Sequence, residues 1–329
     1  MSMKNRMRVL SVVRASLAAV LAAASLAAAA AGFPDRPIKL VVPFPPGGLV
    51  GAVALALANK LSTTLGQPVV IENKPGAAGT IAANFVAKAP KDGYTLLFGT
   101  SATLGSAKYM YKDLPYDPID DFAPVAILGN VTVGVFASDK SGINSVGEMM
   151  ALLKSRPGQV SYGSPGVGST SHLAAELFKS RAKVDALHVP YNGTVPQMTD
   201  LVGGQTQLAF TGVGSGQGFL KEGRIKLVAV ASKSRTKAQP EVPALGEVVP
   251  GYDAPAWLGI VAPKGAPAEA LDRLEKAIQS AMADRELKAM MESQGIEAEP
   301  MTARAFGEKM RREMPLWEEA VRVSGAASK

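Results

Sequence analysis

Residues 37–48 read Pro-Ile-Lys-Leu-Val-Val-Pro-Phe-Pro-Pro-Gly-Gly, a short β-branched run that ends in a Pro/Gly turn and opens into a helical pattern over residues 49–65. A strand that feeds a helix through a turn with almost no side chains exposes backbone N–H groups at the positive end of the helix dipole. The ligand suited to such a turn carries negative charge. A second glycine-rich turn, Gly163-Ser164-Pro165-Gly166-Val167-Gly168-Ser169-Thr170, lies far along the chain and also precedes a helical pattern. Two helix ends of this kind, facing each other, form a cleft for a small anion.

Strand-like and helix-like segments alternate through the chain, which predicts an α/β fold built from right-handed βαβ units around a mostly parallel sheet. Strands are expected at residues 38–43, 69–72, 94–98, 160–163, 186–189, 207–210 and 225–231, with helices at 50–65, 146–155, 169–180 and 194–202. The C-terminal third reads as helices over 267–283, 284–293 and 302–323, the first with Pro267 at its start. Two segments differ: 122–137 offers two strand halves around a Gly129-Asn130 joint, and 257–261 follows a polar, Pro-rich link. Both are read as crossings between domains. They divide the chain into domain one, residues 33–131 plus 259–329, and domain two, residues 132–258, joined so that hinge closure over a ligand is possible. At 329 residues the chain is long enough for two cores.

The N-terminus predicts export. Lys4, Arg6, Arg8 and Arg14 precede an uncharged Ala/Leu/Val/Ser run that ends in Ala29-Ala30-Ala31, so residues 1–31 read as a cleaved signal peptide and the mature protein is expected in the periplasm. Removing those four cations from the formal charge of +7 leaves +3. The remaining Lys and Arg are scattered among acids, with no basic stripe interleaved with aromatics, so nucleic acid is not an expected partner. The absence of cysteine excludes disulfides, thiolate metal sites and a cysteine nucleophile.

Catalytic patterns are poor. The two histidines, His172 and His188, fall in no metal-ligand spacing, and no G-x-S-x-G elbow or P-loop occurs. Gly166-Val167-Gly168 supplies two of the three glycines of a dinucleotide fingerprint and lacks the third. An exported hydrolase using Ser101 or Ser169 with His172 is the competing reading. His188, on a strand before Pro190, reads as a core or strand-end residue. Recognition of an anion by neutral donors is better supplied: Thr100, Ser101 and Thr103, then Ser164, Ser169 and Thr170, then Tyr191 to Thr194 each follow an expected strand. Ligands of open α/β sheets bind outside those strand ends. Hydroxyls and N–H groups can satisfy a carboxylate without burying a second charge. The same Ser and Thr positions are ordinary helix N-caps.

The opening strand and turn, together with Leu65 to Gly76, Asp92-Gly93-Tyr94-Thr95-Leu96, Leu114-Pro115-Tyr116-Asp117-Pro118, Asp121 to Val125, Ser164 to Leu173, His188-Val189-Pro190-Tyr191, Gly203-Gly204-Gln205 and Trp257 to Pro263, resemble the Bug family of TctC-like receptors of tripartite tricarboxylate transporters. The resemblance covers essentially the whole mature chain. It implies a two-domain, type II periplasmic-binding-protein (Venus flytrap) fold with two crossing hinge strands. It also implies a non-enzymatic receptor for a small organic carboxylate, with no cofactor or metal. Delivery to membrane transporter subunits follows, or service to a sensor, and a monomer is expected. Carried over by residue, the ligand loops are Phe44, Gly48, Leu49 and Gly51; Thr100, Ser101 and Thr103; Ser164, Gly168, Ser169, Thr170 and His172; Tyr191; and Thr211 with Gly212. Phe44 is expected to pack on the ligand's carbon skeleton.

Two positions depart from the family pattern. Its first loop usually continues Gly-Gly, two variable residues and Asp, with Arg four residues later; this chain has Gly51 and Leu55 there. Where the family often has Asp-Asn in the late cleft loop, this chain has Thr211-Gly212. A pocket without those groups offers little to an ammonium, so a non-amino carboxylate is expected to be preferred. Leu49 and Gly51 make the first loop apolar and roomy, which points toward a bulkier or aromatic acid.

Overall fold

The computed structural model describes residues 32–46 and 48–327. The expected signal peptide, residues 1–31, lies outside the described residues. Elements run in the order β1 (Ile38–Val42), α1 (Gly48–Leu65), β2 (Val69–Asn73), α2 (Thr80–Ala87), β3 (Thr95–Thr100), α3 (Ala107–Met110), β4 (Phe122–Val131), β5 (Val133–Ser138), α4 (Val146–Ser155) and β6 (Ser161–Ser164). They continue with α5 (Thr170–Ala182), β7 (Leu187–Pro190), α6 (Thr194–Gly203), β8 (Leu208–Gly212), α7 (Gln217–Lys221), β9 (Ile225–Val230), α8 (Leu245–Val248), β10 (Trp257–Pro263), α9 (Ala268–Met282), α10 (Arg285–Ser293), β11 (Ile296–Met301) and α11 (Ala303–Ser324).

Two sheets result, one ordered β11-β4-β10-β3-β1-β2 and the other β7-β6-β8-β5-β9. Both are covered on two faces, and the sequence shows why. Leu40 and Val42 of β1 point to a core shared with α1, α9 and α10, while Val41 between them joins a core built with α2 and α11. Leu96 and Phe98 against Leu97 repeat that alternation on β3. Strands buried on both faces read as continuous apolar runs, which is how Ile-Lys-Leu-Val-Val presented itself. In the second sheet Val133, Val135 and Ala137 face one core and Phe136 the other.

The expected mostly parallel sheet is corrected to a mixed one. β1, β2 and β3 are parallel, as are β6, β7 and β8. β10 is antiparallel to both β3 and β4, and β5 is antiparallel to both β8 and β9. The chain leaves the first sheet along β4 and returns to it along β10, so these neighbours must run in opposite directions. The expected joint at Gly129-Asn130 is also corrected: β4 runs through both residues, and the break before β5 falls at Thr132. Gly129 serves a close approach instead, because a Cβ there would meet the carbonyl oxygen of Glu297 on β11. β11 itself carries no sequence signal. It is an edge strand, Ile-Glu-Ala-Glu-Pro-Met, with acids and a proline in place of an apolar alternation.

The last helix reaches both sheets. Phe306 packs edge-on against Trp257 of β10 at 5.1 Å, and the Trp257 indole N–H donates to Glu313 at 2.8 Å. Past Pro315, which lies inside α11, Trp317, Ala320 and Val321 cluster with Leu173 of α5, and the Arg181 guanidinium meets the Glu319 carboxylate at 2.6 Å. Among the described residues no helix is long and apolar enough to cross a membrane.

Gly129→Ala forces a methyl against the β11 backbone and is expected to cost about 1–3 kcal/mol by overpacking. Urea unfolding followed by circular dichroism measures it, and an unchanged midpoint would remove the close-approach explanation.

Candidate functional site

The candidate segments lie at the carboxyl ends of β1, β3, β6, β7 and β8 and contain no Asp, Glu, Lys or Arg: residues 44–46 with 48–51, 99–103, 164–172, 191–192 and 211–212. Each expected residue falls on one of these loops, but the hydroxyls are not equivalent.

On the first loop, Phe44 is half-buried, and its carbonyl accepts from the Asn73 amide at 2.8 Å, which ties the loop to the end of β2. Gly48 and Leu49 open α1, and Gly51 follows on its first turn. A Cβ at Gly51 would make ordinary van der Waals contact with the Pro45 and Pro46 backbone at 3.7 Å. Leu55, one turn further on the same helix face, is 56% exposed.

On the second loop, Thr100 and Thr103 clasp each other. The Thr100 N–H donates to Thr103 Oγ1 at 2.9 Å, the Thr103 N–H donates to Thr100 Oγ1 at 3.2 Å, and Thr103 Oγ1 donates to the Thr100 carbonyl at 3.0 Å. Thr103 is fully buried, and its carbonyl accepts from the Tyr116 hydroxyl at 2.7 Å. These two threonines therefore hold the turn together. Ser101 is different: its N–H donates to the Trp257 carbonyl at 3.2 Å, and its Oγ lies 3.5 Å from Thr170 Oγ1 at the start of α5. That separation exceeds a good hydroxyl–hydroxyl bond. It brings one side chain from each sheet face to face.

On the third loop, Ser169 is the N-cap of α5. It accepts from the His172 N–H at 3.2 Å and donates to the Gly166 carbonyl at 2.8 Å. The Gly168 N–H is turned inward and donates to His172 Nδ1 at 3.1 Å, so the expected donor of that residue is already engaged. Gly168 sits at φ 75°, and a Cβ there would collide with the Met110 side chain. Ser164, fully buried, has its Oγ 2.7 Å from His188 Nε2, donates to the Gly166 carbonyl at 3.2 Å and accepts from the Gly166 N–H at 3.3 Å. Thr170 and Ser171 are the first two residues of α5, whose N–H groups have no intrahelical acceptor.

The fourth and fifth loops are braced likewise. The Tyr191 hydroxyl donates to Asp200 of α6 at 2.8 Å, and burial, then that bond, pushes the phenol up to about 12. Thr211 and Gly212 end β8 opposite Gly134 and Val133, beside the break between β4 and β5.

His172 is 3% exposed, and its pKa is lowered to about 3 by desolvation first and then by the neighbouring His188 and Lys179. The His188 pKa is also lowered, chiefly by burial. The two rings stack with centroids 4.1 Å apart, and Tyr162 stacks on the far side of His188 at 4.9 Å. Neither Ser101 nor Ser169 is hydrogen-bonded to the His172 ring, so the hydrolase pairing is not assembled. Among the described residues no group of three or more His, Cys, Asp or Glu could hold a metal ion. A cavity of about 280 Å³ lies elsewhere, at the strand crossings, lined by both acids and bases, including Lys233, Asp253 and Glu297.

With this geometry in view, the receptor model of the tripartite tricarboxylate transporter family, TctC, matches residues 53–320. The chain belongs to that family. BugT of Bordetella pertussis is 32% identical over 330 residues, covering 99% of this chain and 100% of that protein. A protein encoded between tcbD and tcbE in Pseudomonas sp. strain P51 is 33% identical, covering 88% and 86%. Among solved structures, Rpa4515 of R. palustris with adipate superposes with a TM-score of 0.79 at 31% identity, over 89% of this chain and 98% of that one. MatC of Rhodopseudomonas palustris with bound malate gives 0.75 at 31%, over 88% and 100%. The fold is thus the two-domain fold of periplasmic binding proteins, and the family is one of solute-binding proteins, with carboxylate-bound members. Sequence reasoning missed His188, which is bonded to Ser164 of the turn before α5, and Asp200, which anchors Tyr191. Neither has a motif of its own.

A histidine whose folded pKa lies below its unfolded value refuses a proton that the unfolded chain accepts. Stability therefore rises with pH between about 3 and the ordinary value of 6.5 and is lost as pH falls through that window. The slope is at most about 1.4 kcal/mol per pH unit for one proton. Urea midpoints at pH 4.5 and 7 are expected to differ less in His172→Asn than in the wild type; equal differences would exclude a neutral buried His172.

Proposed function

We propose that this chain is an exported receptor that closes on a small organic carboxylate and delivers it to the membrane subunits of a tripartite-type transporter. In this reading residues 33–131 with 259–329 form one lobe and 132–258 the other, with β4–β5 and the return into β10 as the hinge. The observation that carries it is the meeting of Ser101 and Thr170 from opposite lobes at 3.5 Å, beside the first turn of α5 and among loops with no charged residue. One carboxylate oxygen bridging the two hydroxyls would make two charge-assisted bonds where the protein alone makes a poor one. The Thr170 and Ser171 N–H groups and the dipole of a 13-residue helix add positive potential at the same place. Chemistry on the ligand is not part of the proposal, because the named serines have no imidazole partner.

The reading extends to selectivity. Gly51 and Leu55 place no carboxylate or guanidinium on the first turns of α1, and Thr211-Gly212 place none at the end of β8. An α-ammonium would have to shed its water with no counter-charge in these loops, which is costly. The exposed Leu55 and the half-buried Phe44 favour an apolar carbon skeleton instead.

Thermal-shift and calorimetric titration of refolded, ligand-stripped protein tests both parts. A saturable shift with a di-, tri- or aromatic carboxylate is expected, while aspartate and glutamate bind at least about tenfold more weakly. Tight binding of either amino acid would overturn the selectivity argument. Thr170→Val is expected to weaken the best carboxylate by roughly tenfold or more, the value of a hydrogen bond to a charged group; unchanged affinity would remove the bridging role.

A further inference from the structure

We propose that His172 and His188 form a stacked imidazole brace behind the cleft, which positions the turn at residues 164–170 and thereby aims the Thr170 and Ser171 N–H groups at the ligand. The inference rests on the carboxylate-receptor reading for its functional consequence, but not for its structural content. Each ring holds one end of the turn. His172 Nδ1 accepts from the Gly168 N–H at 3.1 Å, which puts the ring proton on Nε2. His188 Nε2 lies 2.7 Å from Ser164 Oγ, and Ser164 Oγ in turn is bonded to both the N–H and the carbonyl of Gly166. The rings lie 4.1 Å apart at 23°, so displacement of either one moves the other.

The turn needs such support. Gly166 has φ 148° and Gly168 φ 75°, values that favour glycine and leave the backbone few internal constraints. The Gly168 bond needs a neutral His172, because a proton on Nδ1 would oppose the Gly168 N–H, whereas His188 donates from Nε2 to Ser164 Oγ, whose own proton goes to the Gly166 carbonyl. The groups facing the pair favour neutrality. Burial acts on both rings, His188 faces His172, and Lys179 of α5 faces both. Glu176 of α5 faces His188, but it is engaged by the Tyr162 hydroxyl and by Lys179 at 2.9 Å. Tyr162 of β6 contributes a ring face rather than a charge. His172 thus acts through the turn and is a positioning residue, and His188 joins it in that role.

The test compares the wild type with His172→Ala, His172→Asn and His188→Gln. Asn at 172 keeps an acceptor near the Nδ1 position, and Gln at 188 keeps a polar group near Nε2; neither takes up a proton. In ligand-free protein at pH 7, NMR hydrogen exchange of the Gly168 amide is expected to be slow in the wild type, in His172→Asn and in His188→Gln, and at least tenfold faster in His172→Ala. In calorimetry with malate and adipate as probes, Kd is expected to rise at least tenfold in His172→Ala and to return to within threefold of wild type in His172→Asn. Equal damage in Ala and Asn would show that ring volume, not the acceptor, matters and would overturn the brace. Wild-type exchange in His172→Ala would do the same. If His172→Ala does not fold, the Asn and Gln variants decide, since loss of Gly168 protection in both would exclude the proposed bonds. Failure of both probes to bind the wild type would count against the receptor reading, while the exchange measurements still decide the brace.

Discussion

The structure depends on one antiparallel contact, the pairing of β4 with β10. Trp257 lies opposite Asn130, and Pro263 opposite Phe122, in the middle of the first sheet. One strand carries the chain out of that sheet and the other brings it back. The Val131 N–H donates to the Ala256 carbonyl at 2.7 Å, the Thr132 N–H to the Gly295 carbonyl at 3.0 Å, and the Val213 N–H to the Thr132 carbonyl at 2.9 Å. Both crossings are thereby hydrogen-bonded to each other and to the sheets they join. With the exits fixed, the remaining strands of each sheet run parallel where they are linked through helices. The carboxyl ends of β1, β3, β6, β7 and β8 lead into the loops that carry the candidate site.

Under the proposed reading, that arrangement lets an anion be bound without charged side chains. A buried guanidinium facing a carboxylate has to recover two desolvation costs, and the balance is often near zero. N–H groups at a helix end are already fixed and need no further ordering. The drawback is that most of the hydroxyls around the cleft are needed to hold the turns that present those N–H groups. Thr100 with Thr103, Ser164 with Gly166, and Ser169 with His172 all serve that purpose. Under the proposed carboxylate reading, what remains for a ligand is narrow: Ser101, Thr170 and the start of α5.

Much of this was legible in the sequence. Helix Val146–Ser155 was read at its observed bounds because Ser145 is a capping residue whose Oγ accepts from the Glu148 N–H, a local signal that no distant contact overrides. The turn at Gly166–Gly168 is legible for a similar reason, since the capping residue Ser169 follows it directly. The strand β11 was not, since its place is set by pairing with β4 rather than by its own polar residues. The division of labour among the hydroxyls was also hidden. A serine that caps its helix and one that turns toward the opposite loop occupy the same position relative to a helix, and only the side-chain direction separates Ser169 from Ser101. His188 was hidden more deeply. Its partner Ser164 is 24 residues away, on the adjacent parallel strand.

Helix α11 adds a constraint that two crossing strands alone do not impose. Its first half is anchored on the first sheet through Phe306, Met310 and Glu313, and its second half on α5 through Trp317, Ala320, Val321 and Glu319. Pro315 lies between the two halves, where its ring removes the backbone bond to residue 311 and weakens the helix locally. Any rotation of one sheet against the other has to be absorbed at that break or at the contact between α11 and α5. The Arg181–Glu319 pair is partly exposed and contributes little on its own. The apolar cluster around Leu173 is the stiffer part. α5 is thus held by α11 along its length while its N-terminus lies beside Ser101 of the β3 loop. The same helix, with its cap Ser169, carries Thr170, the proposed donor, and the imidazole of His172.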